Sequence, residues 1–218
     1  MSVRTQRYRL DAKEKLYDMV ADPGQNRDVA KDHPDVTRRL SRAAKEWRAE
    51  LLPGLGKGKR PFPVGYPEFP VTHLPARDGV AHGGIRRSAR PPNCSFFTHW
   101  TGPDEGMTWD IEVATAGRYE AVVHYTCAKE DLGSTVELCF GESRVRAKVT
   151  EAHDPPLVGQ ARDRVKRIES YVKDFKPLRL GTMRLNAGRG DLTLRAVDIP
   201  GRQVIDVRYV VLALLDTP

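Results

Sequence analysis

Long apolar runs are what this 218-residue chain most conspicuously lacks. No stretch of about 18 consecutive apolar residues occurs, so no segment has the make-up of a membrane-spanning helix and no membrane partner is expected. The opening MSVRTQRYRL also lacks the apolar centre of a secretory signal. Either the protein is cytoplasmic or its natural N-terminus lies further upstream; the second reading is favoured. Cysteine is scarce. Cys94, Cys127 and Cys139 form no Cys-x-x-Cys pair and have no histidines at zinc-site spacing, so no metal ligands are assigned. Their odd number leaves at least one thiol unpaired. Cys127 and Cys139 lie in strand-like apolar patterns that suit buried free thiols, and Cys94, in a Pro-Pro-Asn-Cys-Ser loop, is placed to pair with either in an oxidising compartment.

Nucleic-acid recognition motifs are missing as well. The net charge is +7, but residues 1–60 hold 15 Lys/Arg against 9 Asp/Glu, leaving 21 against 20 for residues 61–218. The long second segment is nearly neutral, and neither a helix-turn-helix pattern nor aromatic-glycine sheet motifs occur, so no nucleic-acid partner is expected. What is present, 39% apolar and 30% charged residues, suits a globular chain of one or two domains.

In the first sixty residues, Val3–Leu10 alternates like a strand, and Asp22-Pro23-Gly24 marks a turn. Asp32-His33-Pro34 then opens a helix. Proline suits its first turn, and Val36, Leu40, Ala43, Ala44, Trp47 and Leu51 recur at spacings of three and four. Arg38, Arg39, Arg42, Lys45 and Arg48 occupy the other face, and Pro53-Gly54 ends the helix. A strand and a helix alone bury too little to fold, so the apolar face requires a partner surface.

The run Arg4-Thr5, Arg7-Tyr8-Arg9-Leu10, Lys15-Leu16-Tyr17-Asp18, Ala21-Asp22-Pro23-Gly24-Gln25-Asn26-Arg27-Asp28-Val29-Ala30 and His33-Pro34-Asp35-Val36 resembles the C-terminal subdomain of arylsulfatase-type sulfatases. The resemblance implies a small antiparallel sheet and one long helix, packed on a preceding α/β domain that would be the partner of residues 1–55. It also implies a parent enzyme that needs calcium and a formylglycine made within Cys/Ser-x-Pro-x-Arg. That motif is absent at Cys94-Ser95-Phe96, Cys127-Ala128-Lys129 and Cys139-Phe140-Gly141. No catalytic residue is therefore assigned, and hydrolysis by this chain alone is not expected. A periplasmic or extracellular parent protein follows from the same resemblance.

Residues 56–68, dense in Gly, Pro and Lys, read as a linker. From residue 69 to 218, short apolar runs alternate with turn signals: Phe69–Leu74 as an edge, then Met107–Val113, Tyr119–Tyr125, Thr135–Phe140, Arg144–Val149, Leu178–Leu185, Asp191–Ala196 and Gln203–Leu215. Pro156–Lys176 reads as a long loop with a short helix or strand. The expected fold is mainly β, an antiparallel β-sandwich. Trp109-Asp110-Ile111, Ala116-Gly117-Arg118-Tyr119-Glu120, Met183–Gly188 and Val204–Leu212 resemble carbohydrate-binding modules with the galactose-binding-like jelly roll, which implies a scaffold more than a ligand.

Sugars are held by aromatic faces and by polar side chains on their hydroxyls. His99, Trp100 and Asp104 are the candidate carbohydrate-binding residues on these grounds, set against a packing role for Phe97 and Trp100. Arg86 and Arg87, with Arg90 nearby, are candidates for sulfate groups on a glycan, or a solvated loop. Trp109, Tyr119 and Tyr125 read as core. Structural calcium held by backbone and carboxylate oxygens has room in a sandwich of this kind. The functional expectation is the non-catalytic end of a sulfatase acting on sulfated glycans, whose sandwich docks on polysaccharide. The alternative is a structural or oligomerisation sandwich without a ligand.

Overall fold

The computed structural model describes residues 1–55 and 60–216, which fall into two compact units, Met1–Lys59 and Arg60–Pro218. In the first unit β1 (Val3–Arg4), β2 (Tyr8–Leu10) and β3 (Leu16–Asp18) form an antiparallel sheet in that order, followed by helix α1 (Pro34–Leu51). Val3–Leu10 is thus a hairpin and not one strand. Thr5 turns the chain, its hydroxyl accepting from the Tyr8 N–H at 2.9 Å while its own N–H reaches the Tyr8 carbonyl at 2.8 Å.

Carboxylates hold the rest of this unit. Buried Asp18 accepts from Arg7 and from the Val20 and Ala21 N–H groups, and these bonds pull its carboxyl below the ordinary range. Asp28 accepts from the Leu16 and Ala30 N–H groups. Leu10, Leu16 and Leu40 form the small core, with Val3, Tyr8, Val29, Ala30 and Val36 against it. Proline at the first turn of α1 fits the sequence reading, yet only the early part of the apolar stripe is covered: Leu40 is buried, whereas Trp47 is 65% exposed and Leu51 47%.

The second unit is a two-sheet β-sandwich. Its strands are β4 (Phe62–Val64), β5 (Val71–Pro75), β6 (Val80–His82), β7 (Arg86–Arg87), β8 (Phe97–Thr98), β9 (Gly106–Val113), β10 (Gly117–Thr126), β11 (Thr135–Phe140), β12 (Ser143–Lys148), β13 (Lys176–Leu185), β14 (Gly188–Asp198) and β15 (Asp206–Asp216). One sheet runs β13-β10-β15-β8-β7 with β5 also on β15; the other runs β12-β11-β14-β9-β4 with β6 also on β9. Every pair is antiparallel except β4 with β9. Period-two patterning supplies the core between the sheets: Met107, Trp109, Ile111 and Val113 face inward from β9, and Tyr119, Ala121, Val123 and Tyr125 from β10. Bulges change the parity where sequence patterning blurs. One is at Ala121/Val122 opposite Gly181, another at His124/Tyr125 opposite β15.

The linker expectation needs correction. Residues 56–59 lie outside the described residues, but Phe62–Val64 is a strand of the sandwich, and Val64 is wholly buried. Three residues are too few to show a period, and Pro63 disguised them. Gly65 follows at φ +79° against Tyr119; a Cβ there would stand 1.7 Å from the tyrosine oxygen, so only glycine fits. The edge strand begins at Val71, since Phe69 is 78% exposed and makes only an isolated bridge to Tyr66. Residues 156–175 are a long loop with one 3₁₀ turn at Gln160–Arg162, and Lys176 already begins β13. All three cysteines are free: Cys127 is buried, Cys139 half-buried and Cys94 exposed.

Candidate functional site

The five residues singled out from sequence do not form one site. Trp100 is fully buried in the core, so its ring offers no face to a sugar; its placement is a correction to the candidate set. The reason is local. His99 sits at φ +61°, an uncommon value for a non-glycine residue, and this turn drives the next side chain inward. Trp100 packs in the sandwich core, and among the described residues its indole nitrogen has no acceptor. His99 and Asp104 are exposed on the connecting loop. Arg86 is exposed opposite Thr98, whereas Arg87 folds back to donate to the Arg77 and Gly79 carbonyls and lies over Phe97.

Glu105, unremarked in the sequence, organises that loop. Its carboxylate accepts from the N–H groups of Gly84 at 2.6 Å, Thr101 at 2.8 Å and Gly102 at 2.9 Å. Partial burial pushes its carboxyl up, and the three N–H donors outweigh that and hold it below the ordinary range. A Cβ on Gly83 would come within 2.5 Å of the Glu105 side chain and one on Gly84 within 2.6 Å, which accounts for the glycine pair.

A cleft of about 990 Å³ opens between residues 88–96 and the 157–171 part of the long loop. That volume is at the upper end of the range for small-ligand sites. Phe96, Pro91, Leu157 and Ile168 give it apolar lining, and Arg90, Lys166 and Glu169 bring charge to it. Tyr171 forms part of the wall. Its hydroxyl donates to Asp163 at 2.6 Å, and the Arg167 guanidinium lies 3.8 Å from its ring centre, so the long loop carries its own cation–aromatic stack.

The loop is pinned on both sides of the cleft. The Ser88 and Ser170 hydroxyls meet at 2.7 Å, Val158 donates to the Val172 carbonyl at 2.7 Å, and Phe96 meets Phe175 edge-on at 5.4 Å. Lys173 completes the anchor, bonding Asp154 at 2.9 Å and Asp206 at 3.1 Å. Of the basic loop residues flagged from sequence, Arg90 alone lines this cleft. The remainder escaped the sequence reading because the two walls are about eighty positions apart and the long loop has no period.

Among the described residues, no group of three or more His, Cys, Asp or Glu side chains is placed to hold a metal ion. The cleft offers shape, apolar contact and hydrogen-bonding groups.

No protein-family profile matches the chain, and no curated protein matches it. Similar solved structures include carbohydrate-binding module β-sandwiches of the groups named CBM6, CBM35 and CBM36. A Podospora anserina GH26-CBM35 β-(1,4)-mannanase is 14% identical at a TM-score of 0.45, covering 68% of this chain and 28% of its own length. The C-terminal CBM6 of LamC, a marine laminarinase of Zobellia galactanivorans, is 11% identical at 0.45, covering 66% and 98%. The mosquito-larvicidal Cry4Aa toxin of Bacillus thuringiensis is 10% identical at 0.48, covering 67% and 24%. The sandwich architecture stands on the strand pairing itself.

Proposed function

We propose that the second unit is a carbohydrate-binding sandwich whose ligand lies in the cleft between residues 88–96 and 157–171. The observation that carries this is the cleft: a pinned cavity of about 990 Å³ lined by apolar side chains together with Arg90, Lys166, Arg167 and Glu169. Sugar rings present C–H faces to such apolar groups and hydroxyls or sulfate groups to such charged ones. We further propose that the first unit is the C-terminal subdomain of an exported sulfatase-type enzyme acting on sulfated glycans. The apolar end of α1 supports this reading. Trp47 and Leu51 on α1 and Leu52 and Leu55 just after it are 65%, 47%, 48% and 62% exposed, a surface suited to docking on a preceding catalytic domain. Calcium and the formylglycine nucleophile would belong to that domain.

The test is binding of the whole chain to a panel of neutral and sulfated oligosaccharides by calorimetry, with Arg90→Ala and Lys166→Ala beside it. Both variants are expected to weaken binding at least fivefold without lowering the melting temperature. No binding by the unaltered chain, or equal binding by both variants, would refute the cleft as the site and favour a structural or oligomerisation role.

A further inference from the structure

Outside the cleft, the outer face of the second sheet gathers several basic side chains around one buried carboxylate. Glu137 on β11 points outward from the core, yet no part of its side chain reaches solvent, because arginines from the flanking strands close over it. Arg146 on β12 donates Nε to Glu137 Oε2, and Arg195 on β14 donates Nε to Oε1 at 2.6 Å with a second nitrogen at 2.5 Å. Arg144 on β12 lies 4.0 Å away, and the Cys139 thiol donates to Oε1 at 3.1 Å. Lys148, also on β12, is exposed, and among the described residues no carboxylate is within ion-pair distance of it. Asp198, opposite Thr135 at the end of β14, is the nearest further acid by register.

One carboxylate needs one guanidinium fork; three guanidiniums and a lysine around it leave a net positive face. Each guanidinium has five N–H groups and the carboxylate about four acceptor positions, partly taken by the thiol, so most of the N–H groups point to solvent. Their side chains are 48%, 54% and 45% exposed at Arg144, Arg146 and Arg195. The buried carboxylate fixes the direction of these forks in advance, which removes much of the ordering cost an anion would otherwise meet. The Arg146 and Arg195 heads converge on the one carboxylate, whereas Arg144 and Lys148, four residues apart on β12, have backbone positions about 13 Å apart along the strand. That spread suits a polymer with repeated oxyanions more than one small ion. The outward neighbours Thr135, Cys139 and Thr193 include no aromatic ring on which a base would stack.

We propose that Arg144, Arg146, Lys148 and Arg195 bind the sulfate or carboxylate groups of an anionic polysaccharide, with Glu137 as the buried positioning residue that aims them. The site is separate from the cleft and takes from the preceding reading only the class of polymer.

The experiment measures binding of the whole chain to dextran sulfate, polygalacturonate, dextran and a DNA duplex at fixed physiological salt. The unaltered chain is expected to bind at least one of the two acidic glycans, more tightly than the duplex and without measurable binding to dextran at this face. Glu137→Gln is expected to weaken that binding at least fivefold although it adds positive charge, and Arg146→Lys severalfold although it conserves charge. Arg144→Gln leaves the two close partners of Glu137 in place and keeps the test open if Glu137→Gln does not fold. A charge control in the other unit, Arg38→Gln with Arg39→Gln and Arg42→Gln, is expected to change binding less than twofold. Tighter binding by Glu137→Gln, equal weakening by the control, or equal affinity for the duplex would overturn the proposal. Arg90→Ala in the cleft should leave binding here unchanged, so failure of either site is read independently of the other.

Discussion

Replacing Glu137 by glutamine tests both the energetics and the geometry of the arginine cluster. Burial alone would push this carboxyl up, but bonds from Cys139, Arg146 and Arg195 together with the Arg195 charge bring it down to about 2 from the ordinary 4.5. Because the folded value is depressed, the stabilisation is fully present above the unfolded value near 4.5. It is lost as pH falls through the window from 4.5 to about 2. At roughly 1.4 kcal/mol per pH unit, the upper bound is about 3 kcal/mol. The carboxylate is sealed from water, but the guanidiniums above it are half exposed and screened, so about 1.5–3 kcal/mol is the working range. Glutamine keeps the shape but offers the arginines one oxygen and turns an amide donor toward them. For a unit of this size the melting temperature should fall by roughly 3–12 °C at pH 7. Calorimetric melts of both proteins from pH 7 to pH 2 are the assay. The gap between them should narrow below pH 4.5 and be nearly closed at pH 2. Two curves that remain parallel throughout would refute the assignment of this carboxylate as the charged centre of the cluster.

Gly65→Ala should destabilise the sandwich by more than about 3 kcal/mol, since the new Cβ would overlap the Tyr119 oxygen and the backbone is left-handed there. Combining it with Tyr119→Phe should cost less than the sum of the two changes in a denaturant cycle; strict additivity would show that the two residues do not meet. Trp109→Phe loses the bond from its indole nitrogen to the Pro75 carbonyl at 3.0 Å, whereas the Trp100 indole nitrogen has no acceptor to lose. Urea melts should therefore find Trp109→Phe the more damaging by about 1 kcal/mol, and the reverse order would contradict the geometry. Native-state thiol labelling should modify exposed Cys94 first and leave Cys127 intact until unfolding, because burial and nearby Asp131 push its thiol up to about 11. Fast labelling of Cys127 would mean that the end of the sandwich opens.

Much of the scaffold was legible because its signals are local. Alternation in residues 107–113 and 119–125 marked β9 and β10, and their inward Trp109, Tyr119 and Tyr125 are core as expected. Pro34 and the spacing that follows it marked α1. Strands of two or three residues left no period, which is why β4, β6, β7 and β8 went unseen and Phe62–Val64 was taken for linker. Trp100 looked like a binding residue because an aromatic in a polar loop cannot reveal, from sequence, that a left-handed His99 aims it inward. Glu137 occupies an outward position in β11, where period-two patterning gives no sign of burial. Its burial depends on Arg146, nine residues on, and Arg195, fifty-eight residues on. The cleft is equally non-local, with Ser88 and Ser170 meeting from positions 82 residues apart.

The strand at Phe62–Val64 also decides how the protein can be divided. Cutting at residue 69, where the Gly/Pro-rich stretch seems to end, would strip β9 of its parallel neighbour, empty the slot filled by Val64 and uncover the Tyr119 hydroxyl beneath Gly65. An excised sandwich should therefore begin no later than Arg60, and a shorter one is expected to expose a raw sheet margin and self-associate.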